Sequence, residues 1–176
     1  MSEARLAADR TTIQIERLRL PNGLVIDSID VTATGLRVNV VPFELPAGSC
    51  ATVVGKISYE GIARFLNDSQ PGGMSGFEVR RLDGELAVTA FTKLLIPVQV
   101  GALGKVSLVN REVRFEPSRV EVAGVKAPEA LANEQLNRVN PLIDLTTMPF
   151  EVSDFVCELH EDALQVTATV TTNLQK

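Results

Sequence analysis

The residues that come nearest to a catalytic motif surround Ser75, which lies in a glycine-rich stretch at residues 72–76. A hydrolase nucleophile on a strand-to-helix turn needs glycine two residues after the serine, and Phe77 stands at that position. His160 is the only histidine, and its acidic neighbours predict a surface turn at residues 160–162. We therefore expect no nucleophilic catalysis and no catalytic residue in this chain.

Phosphate binding and metal binding fail on spacing and on ligand number. Gly101 and Gly104 are separated by two residues, where a phosphate-binding loop needs four, and Val106 replaces the hydroxyl residue that coordinates magnesium. One histidine and two distant cysteines, Cys50 and Cys157, cannot supply a zinc site. The carboxylates show no calcium-loop spacing. The sequence predicts a protein that is not an enzyme and has no metal and no cofactor.

Composition limits the fold and the partners. The chain has 176 residues, which predicts one domain over residues 1–176. Hydrophobic residues make up 45%, aromatic residues only 5%, and tryptophan is absent, so the core must be aliphatic. A net charge of −5 without a basic patch argues against nucleic acid as a partner. We expect a buried, inert thiol at Cys50 and at Cys157, and a bridge between the two remains an alternative.

We expect no targeting segment and no membrane-spanning segment in the sequence as written. Residues 1–11 lack the apolar stretch of a secretory signal and predict a flexible or helical N-terminal extension. The longest apolar run, residues 94–104, is shorter than the roughly 20 residues that span a bilayer. As written, the chain is expected to be cytoplasmic.

Alternating apolar residues predict antiparallel strands along most of the chain. The alternation breaks phase at Glu16 and Arg17, as a bulge would do. Two hairpins are expected, one turning at residues 83–84 (Asp-Gly) and one at residues 117–118 (Pro-Ser). Pro97 predicts an edge or a bulge in its strand, because proline has no N–H to donate.

Two short helices are expected between the strands. Ser58 can cap a helix that runs to about Asn67, and its apolar face consists of Ile62, Phe65 and Leu66. A second helix is expected to begin at Pro128, with Leu131, Leu136 and Val139 among its apolar residues. The fold class is therefore α+β and mostly β, a curved antiparallel sheet built from hairpins and packed against two short helices.

The order of elements near the C-terminus resembles the LmeA-like phospholipid-binding family of bacterial cell-envelope proteins. The resemblance covers residues 20–174 and includes residues 51–58 and 84–86 upstream. It is carried mainly by elements that follow one another near the C-terminus: a strand at residues 120–122, a helix from Pro128, the segments Asn140-Pro141-Leu142-Ile143-Asp144-Leu145 and Met148-Pro149-Phe150-Glu151-Val152, and a closing hairpin through Leu164-Gln165-Val166. It implies an apolar groove for acyl chains, like that of tubular lipid-binding proteins, and a place at the envelope. Members of the family usually carry a signal peptide or a membrane anchor.

The resemblance implies a phospholipid or another hydrophobic molecule as ligand, with peripheral contact to a membrane. The residues expected to line the groove come from the two helices: Ile62, Phe65, Leu66, Leu131, Leu136 and Val139. The alternative is a structural or protein-interaction domain with an ordinary filled core and no ligand. In that alternative a partner strand would add to an exposed edge near Pro97 or at the terminal strand.

Overall fold

Two antiparallel sheets of six strands each form the protein, and the computed structural model describes residues 5–40, 43–44, 49–93, 97–127, 140–146 and 150–172. The first sheet joins the two ends of the chain. In spatial order it consists of β1 (Arg5–Arg19), β2 (Val25–Val40), β4 (Cys50–Ser58), β12 (Ala163–Thr172) and β11 (Phe150–Leu159), with β3 (Phe43–Glu44) beside β2.

The second sheet is built from the middle of the chain. In spatial order it consists of β10 (Ile143–Asp144), β8 (Glu112–Val122), β7 (Pro97–Val109), β6 (Glu85–Lys93) and β5 (Met74–Leu82), with β9 (Val125–Lys126) beside β8. The antiparallel, mostly β prediction is confirmed, but the expectation of a single curved sheet is wrong. The helix after β4 carries the chain away from the first sheet, so β5 to β8 pair with one another as a meander of their own.

Helix α1 (Tyr59–Ser69) connects the two sheets and confirms the first predicted helix. The Ser58 hydroxyl accepts a hydrogen bond from the Gly61 N–H at 3.2 Å and so caps the first turn. Gln70 ends the helix in a left-handed conformation, and a 3₁₀ turn (Pro71–Gly73) follows. The second predicted helix, from Pro128, lies outside the described residues.

The N-terminal segment belongs to the first sheet. β1 begins at Arg5, so residues 5–11 form strand and not the flexible or helical extension that was expected. They pair with residues 33–39 of β2, which is long enough to satisfy the backbone hydrogen bonds of the segment. The segment is therefore part of one continuous hairpin of two long strands, β1 and β2.

One predicted hairpin is confirmed and the other is wrong. Asp83 and Gly84 form the β5–β6 turn, both with positive φ, as a tight two-residue turn requires. Pro117 instead lies inside β8, opposite Gly104 of β7, where the register shifts by one residue. The bulge accommodates the proline within β8. The turn that joins β7 to β8 is at residues 110–111.

Neither edge expected to receive a partner strand is an edge. Pro97 is the first residue of β7, which lies between β6 and β8, and β12 lies between β4 and β11. A proline is tolerated at the first position of a strand, so no exposed edge is required to explain it. The strands that pair on one side only among the described residues are β1, β11 and the two-residue β3 in the first sheet, and β5 and the two-residue β9 and β10 in the second.

The two cysteines are far apart and differ in burial. Cys50 is exposed and pairs across the sheet with Thr171, while Cys157 is half-buried and pairs with Val166. Both partners lie on β12 and are five residues apart, which corresponds to about 16 Å along a strand. A bridge is therefore excluded on distance, and the expectation of a buried thiol at Cys50 is wrong.

Candidate functional site

An apolar cavity of about 500 Å³ lies between the two sheets and α1. Its volume falls within the range of roughly 300–1,000 Å³ that is typical of small-molecule sites. Each strand turns alternate side chains toward it, because successive Cβ atoms of a strand point to opposite faces. The cavity contradicts a completely filled core.

The first sheet forms one wall through β2, β4 and β12. On β4 the inward positions are Val53, Gly55 and Ile57, while Val54 and Lys56 between them do not line the cavity. The neighbouring inward positions are Ile29 and Val31 on β2, and Leu164, Val166, Ala168 and Val170 on β12. Most of these side chains are only half-buried, as expected for residues that face an internal space and not another layer of side chains.

A change of phase near one end of the β1–β2 hairpin brings further residues to the wall. On β2, Ile29 and Ile26 both face the cavity although they are three residues apart. Leu18, the partner of Ile26 on β1, faces it as well. Arg17, in the left-handed region at φ 54°, lies at this switch, as the broken alternation predicted. The pairing of β1 with β2 keeps the same register on both sides of this switch, because each strand has one extra residue at that point.

A bulge in β11 has the same effect on the opposite edge. Asp154 has φ 50°, and the pairing with β12 shifts between Ser153 and Val156. Val152 and Phe155 therefore both face the cavity although they are three residues apart, and Val156 is exposed. A simple period of two misplaces these residues, so sequence reasoning missed Phe155.

Helix α1 closes one side of the cavity over β5. Ile62, Phe65 and Leu66 of the helix line the cavity together with Met74 and Phe77 of β5. Leu66, Met74 and Phe77 are buried and pack in one cluster. The three residues predicted on the first helix are thus brought together, whereas Leu131, Leu136 and Val139 lie outside the described residues. That any of the six contacts a ligand stays a prediction.

Hydrogen bonds hold α1 to both sheets. The Asn67 side chain both accepts from the Phe77 N–H at 2.8 Å and donates to the Phe77 carbonyl at 3.0 Å, as a neighbouring strand would do. At the other end of the helix, the Tyr59 hydroxyl donates to the carbonyl of His160 at 2.8 Å. The Ser58 N–H donates to the Asp27 carboxylate at 2.6 Å. The helix is therefore fixed at both ends and forms a rigid wall.

Arg111, in the β7–β8 turn, fastens the second sheet to the start of β11. Its guanidinium donates to the carbonyls of Leu145 at 3.0 Å and Phe150 at 2.7 Å, and its own carbonyl accepts from the Leu145 N–H at 3.0 Å. Leu145 and Phe150 both line the cavity. Nearby, Asn22 of the β1–β2 turn donates to the carbonyl of Leu142, another lining residue, at 3.0 Å. These polar contacts join the sheets from outside the apolar space.

The described lining residues carry no charged or polar side chain. Cys157 packs beside this region, and burial raises the pKa of its thiol to about 11, so the thiol stays protonated at neutral pH. Ser75 lies in β5 of the second sheet, and His160 lies in the β11–β12 turn of the first. Within the described ranges, no three His, Cys, Asp or Glu side chains are grouped as a metal site would require. The cavity itself offers apolar contacts only.

Most of the wall comes from strands, which the sequence analysis did not propose as lining. The available signal was the alternation itself: residues such as Val53, Ile57, Leu164 and Val166 occupy the apolar positions of regular strands. What alternation cannot reveal is that the facing layer is a space instead of a second set of packed side chains. Distinguishing the two needs the separation of the sheets.

In the part of the chain that the structure describes, no helix has the length and apolar character needed to cross a membrane. A family model described as LmeA-like phospholipid-binding matches residues 4–169 of the chain. No curated protein matches the chain, and no solved structure does. The matched range includes α1 and almost every strand of both sheets, and thus the walls of the cavity.

Proposed function

The chain belongs to the LmeA-like phospholipid-binding family, and we propose that its cavity holds the acyl chains of a phospholipid while the headgroup stays outside the apolar walls. The protein acts by binding, with no catalytic residue. The observation that carries the proposal is the continuous lining without a polar side chain among the described residues. Such a lining accepts hydrocarbon, whereas an unpaired phosphate inside it would lose its hydration without compensation.

The energy available from chain burial is sufficient for stable binding. Each methylene removed from water contributes about 0.8 kcal/mol, so ten buried methylenes contribute roughly 8 kcal/mol before the cost of immobilising the lipid. The walls are held by strand pairing and by the contacts of Asn67 and Arg111. Little of that energy is then needed to order the protein.

The proposal predicts how the cavity selects its ligands. Lipids with the same acyl chains and different headgroups should bind with similar affinity, because the described walls offer a headgroup no partner. Lipids of different chain length should differ, since each methylene that leaves the cavity loses about 0.8 kcal/mol, close to fourfold in affinity.

Native mass spectrometry of gently purified protein, followed by lipid extraction, tests binding directly. The same protein is then offered matched pairs of phosphatidylcholine, phosphatidylglycerol and phosphatidylethanolamine, with one chain length changed at a time. Recovery of lipid with selection by chain length is the expected result. If no lipid is recovered and none binds from vesicles, the proposed function is wrong.

A carrier of this kind meets a membrane only to load and unload. We propose peripheral contact with a bilayer and a role in lipid handling at the cell envelope, as the family resemblance implies. Transfer between donor and acceptor vesicles tests this role. A protein that retains lipid but never exchanges it with vesicles would store lipid and would not move it.

A further inference from the structure

We propose that β1 pairs with β1 of a second copy, so that two chains form a symmetric antiparallel dimer through the edge of the first sheet. Among the described strands, β1 lies at the end of the spatial order of that sheet and pairs with β2 alone. An edge strand presents a row of backbone N–H and C=O groups that can accept another strand. The proposal is independent of what the cavity binds.

Among the described edges, β1 alone offers a long regular stretch. β10 has two residues, and β5 and β11 each contain a register shift, between Ser75 and Glu78 and between Ser153 and Val156. Such bulges twist an edge away from a partner. On β1, residues 10–16 pair in unbroken register with residues 28–34 of β2. This stretch is bounded by Gly35, opposite residue 9, and by Arg17, both with positive φ.

The regular stretch is centred on Ile13, and its two charged residues are complementary about that centre. In an antiparallel pairing with Ile13 opposite Ile13 of the second copy, Arg10 lies opposite Glu16, and twofold symmetry forms this attractive pair twice. Asp9 and Arg17, just outside the two ends of the stretch, carry charges that are complementary in the same way. All four charged side chains are exposed, and within the described residues none of them has an ion-pair partner.

Neighbouring registers lack this complementarity. Alternate residues of an antiparallel strand present their N–H and C=O groups at the free edge, so the nearest competing registers are shifted by two residues. Such a shift places Arg10 opposite Gln14 in one direction and Glu16 opposite Thr12 in the other, so both Arg10–Glu16 pairs are lost. The charges of Arg10 and Glu16 therefore favour the register centred on Ile13.

The same pairing covers apolar side chains that are exposed in the single chain. Ile13 is 51% exposed and Ile15 is 36% exposed, although their partners on β2, Val31 and Ile29, line the cavity. Paired residues share a face of the sheet, so both isoleucines extend the cavity face of the first sheet out to its edge. In the dimer the two copies of Ile13 lie side by side, and this face becomes continuous across the junction.

Charge reversal distinguishes this dimer from any other. Arg10→Glu alone places two glutamates opposite each other, the new one and Glu16, and Glu16→Arg alone places two arginines opposite each other, so each variant by itself should dimerise more weakly than the wild-type protein. Mixing the two variants should restore a heterodimer, in which every pair at these positions is attractive. Because a small strand-to-strand contact is weak, sedimentation is measured up to roughly millimolar protein. Each single variant should weaken dimerisation tenfold or more.

The matched control is Glu151→Arg, the same charge change at an exposed position of the bulged edge strand β11, which should leave dimerisation unchanged. A second measurement reports the register. In a Cys50→Ser background, Ile13→Cys should form a disulfide-linked dimer under mild oxidation and Thr12→Cys should not, because only residue 13 faces itself. A wild-type protein that stays monomeric, a dimer indifferent to both reversals, or single variants that fail to recover on mixing would each overturn the proposal.

Discussion

Gly55 is the position where the cavity can be filled without disturbing its walls. It lies in the middle of β4, between Ile29 of β2 and Val166 of β12, on the face that lines the cavity. A Cβ added there would meet only the Ile26 side chain, at 4.0 Å. Gly55→Phe should therefore fold and project its ring into the space that we assign to the acyl chain.

The expected loss of affinity follows from the volume displaced. A benzyl group brings about seven carbons, and each chain carbon excluded from the cavity removes about 0.8 kcal/mol of binding, so the upper limit is near 6 kcal/mol. A flexible chain recovers part of this by sliding along the cavity of about 500 Å³. We expect at least about 1.4 kcal/mol to remain lost, a tenfold or greater weakening.

The assay is displacement of a fluorescent fatty acyl probe, with the melting temperature as a measure of folding. The matched control is Val54→Phe, one residue along the same strand, where the side chain points to the opposite face. This control should bind the probe like the wild-type protein. If Gly55→Phe is folded and still binds with wild-type affinity, the acyl chain does not occupy this cavity.

Three further predictions concern stability and reactivity. Gly104→Ala should destabilise the fold by about 3 kcal/mol and lower the melting temperature by about 6–12 °C, because the new Cβ would clash with the Glu116 backbone carbonyl on the neighbouring strand. Gly101→Ala on the same strand, where the nearest atom is Thr89 Cγ2 at 3.8 Å, should change stability by less than about 1 kcal/mol. Tyr59→Phe, which removes the hydrogen bond to the His160 carbonyl, should cost about 1 kcal/mol in chemical denaturation, and no loss would mean that the bond is not formed in solution. At pH 8 a thiol reagent should modify the exposed Cys50 far faster than Cys157, because burial raises the pKa of the Cys157 thiol to about 11. The rate at Cys157 should increase as the pH approaches 11. Equal rates at pH 8 would contradict the burial of Cys157.

Local signals in the sequence were sufficient to predict several elements. Ser58 and the apolar spacing of Ile62, Phe65 and Leu66 predicted α1, and Asp83-Gly84 predicted the β5–β6 turn. Each of these signals acts between residues close in the chain. The same holds for the phase break at Arg17, which altered the alternation in a way that could be read directly.

Contacts between distant residues were not readable in this way. Pro117 resembles a turn residue, but its strand continues because Gly104, on the neighbouring strand, lets the two backbones approach closely. The division into two sheets likewise depends on where α1 directs the chain after β4. Alternation predicts that a face is apolar, and it does not predict whether that face meets side chains, a ligand or a second copy of the chain.

One continuous face of the first sheet meets packed side chains, a cavity and solvent in turn. At Leu164 the face meets buried side chains of the second sheet and α1, and at Val53 it borders the cavity. At Ile13 it reaches the edge and is exposed. The exposed Ile13 and the complementary charges of Arg10 and Glu16 on either side of it both favour a second copy of the chain at that edge. The proposed dimer would continue the cavity face of each chain across the junction, with Ile13 beside Ile13 and Thr11 opposite Ile15 of the second copy.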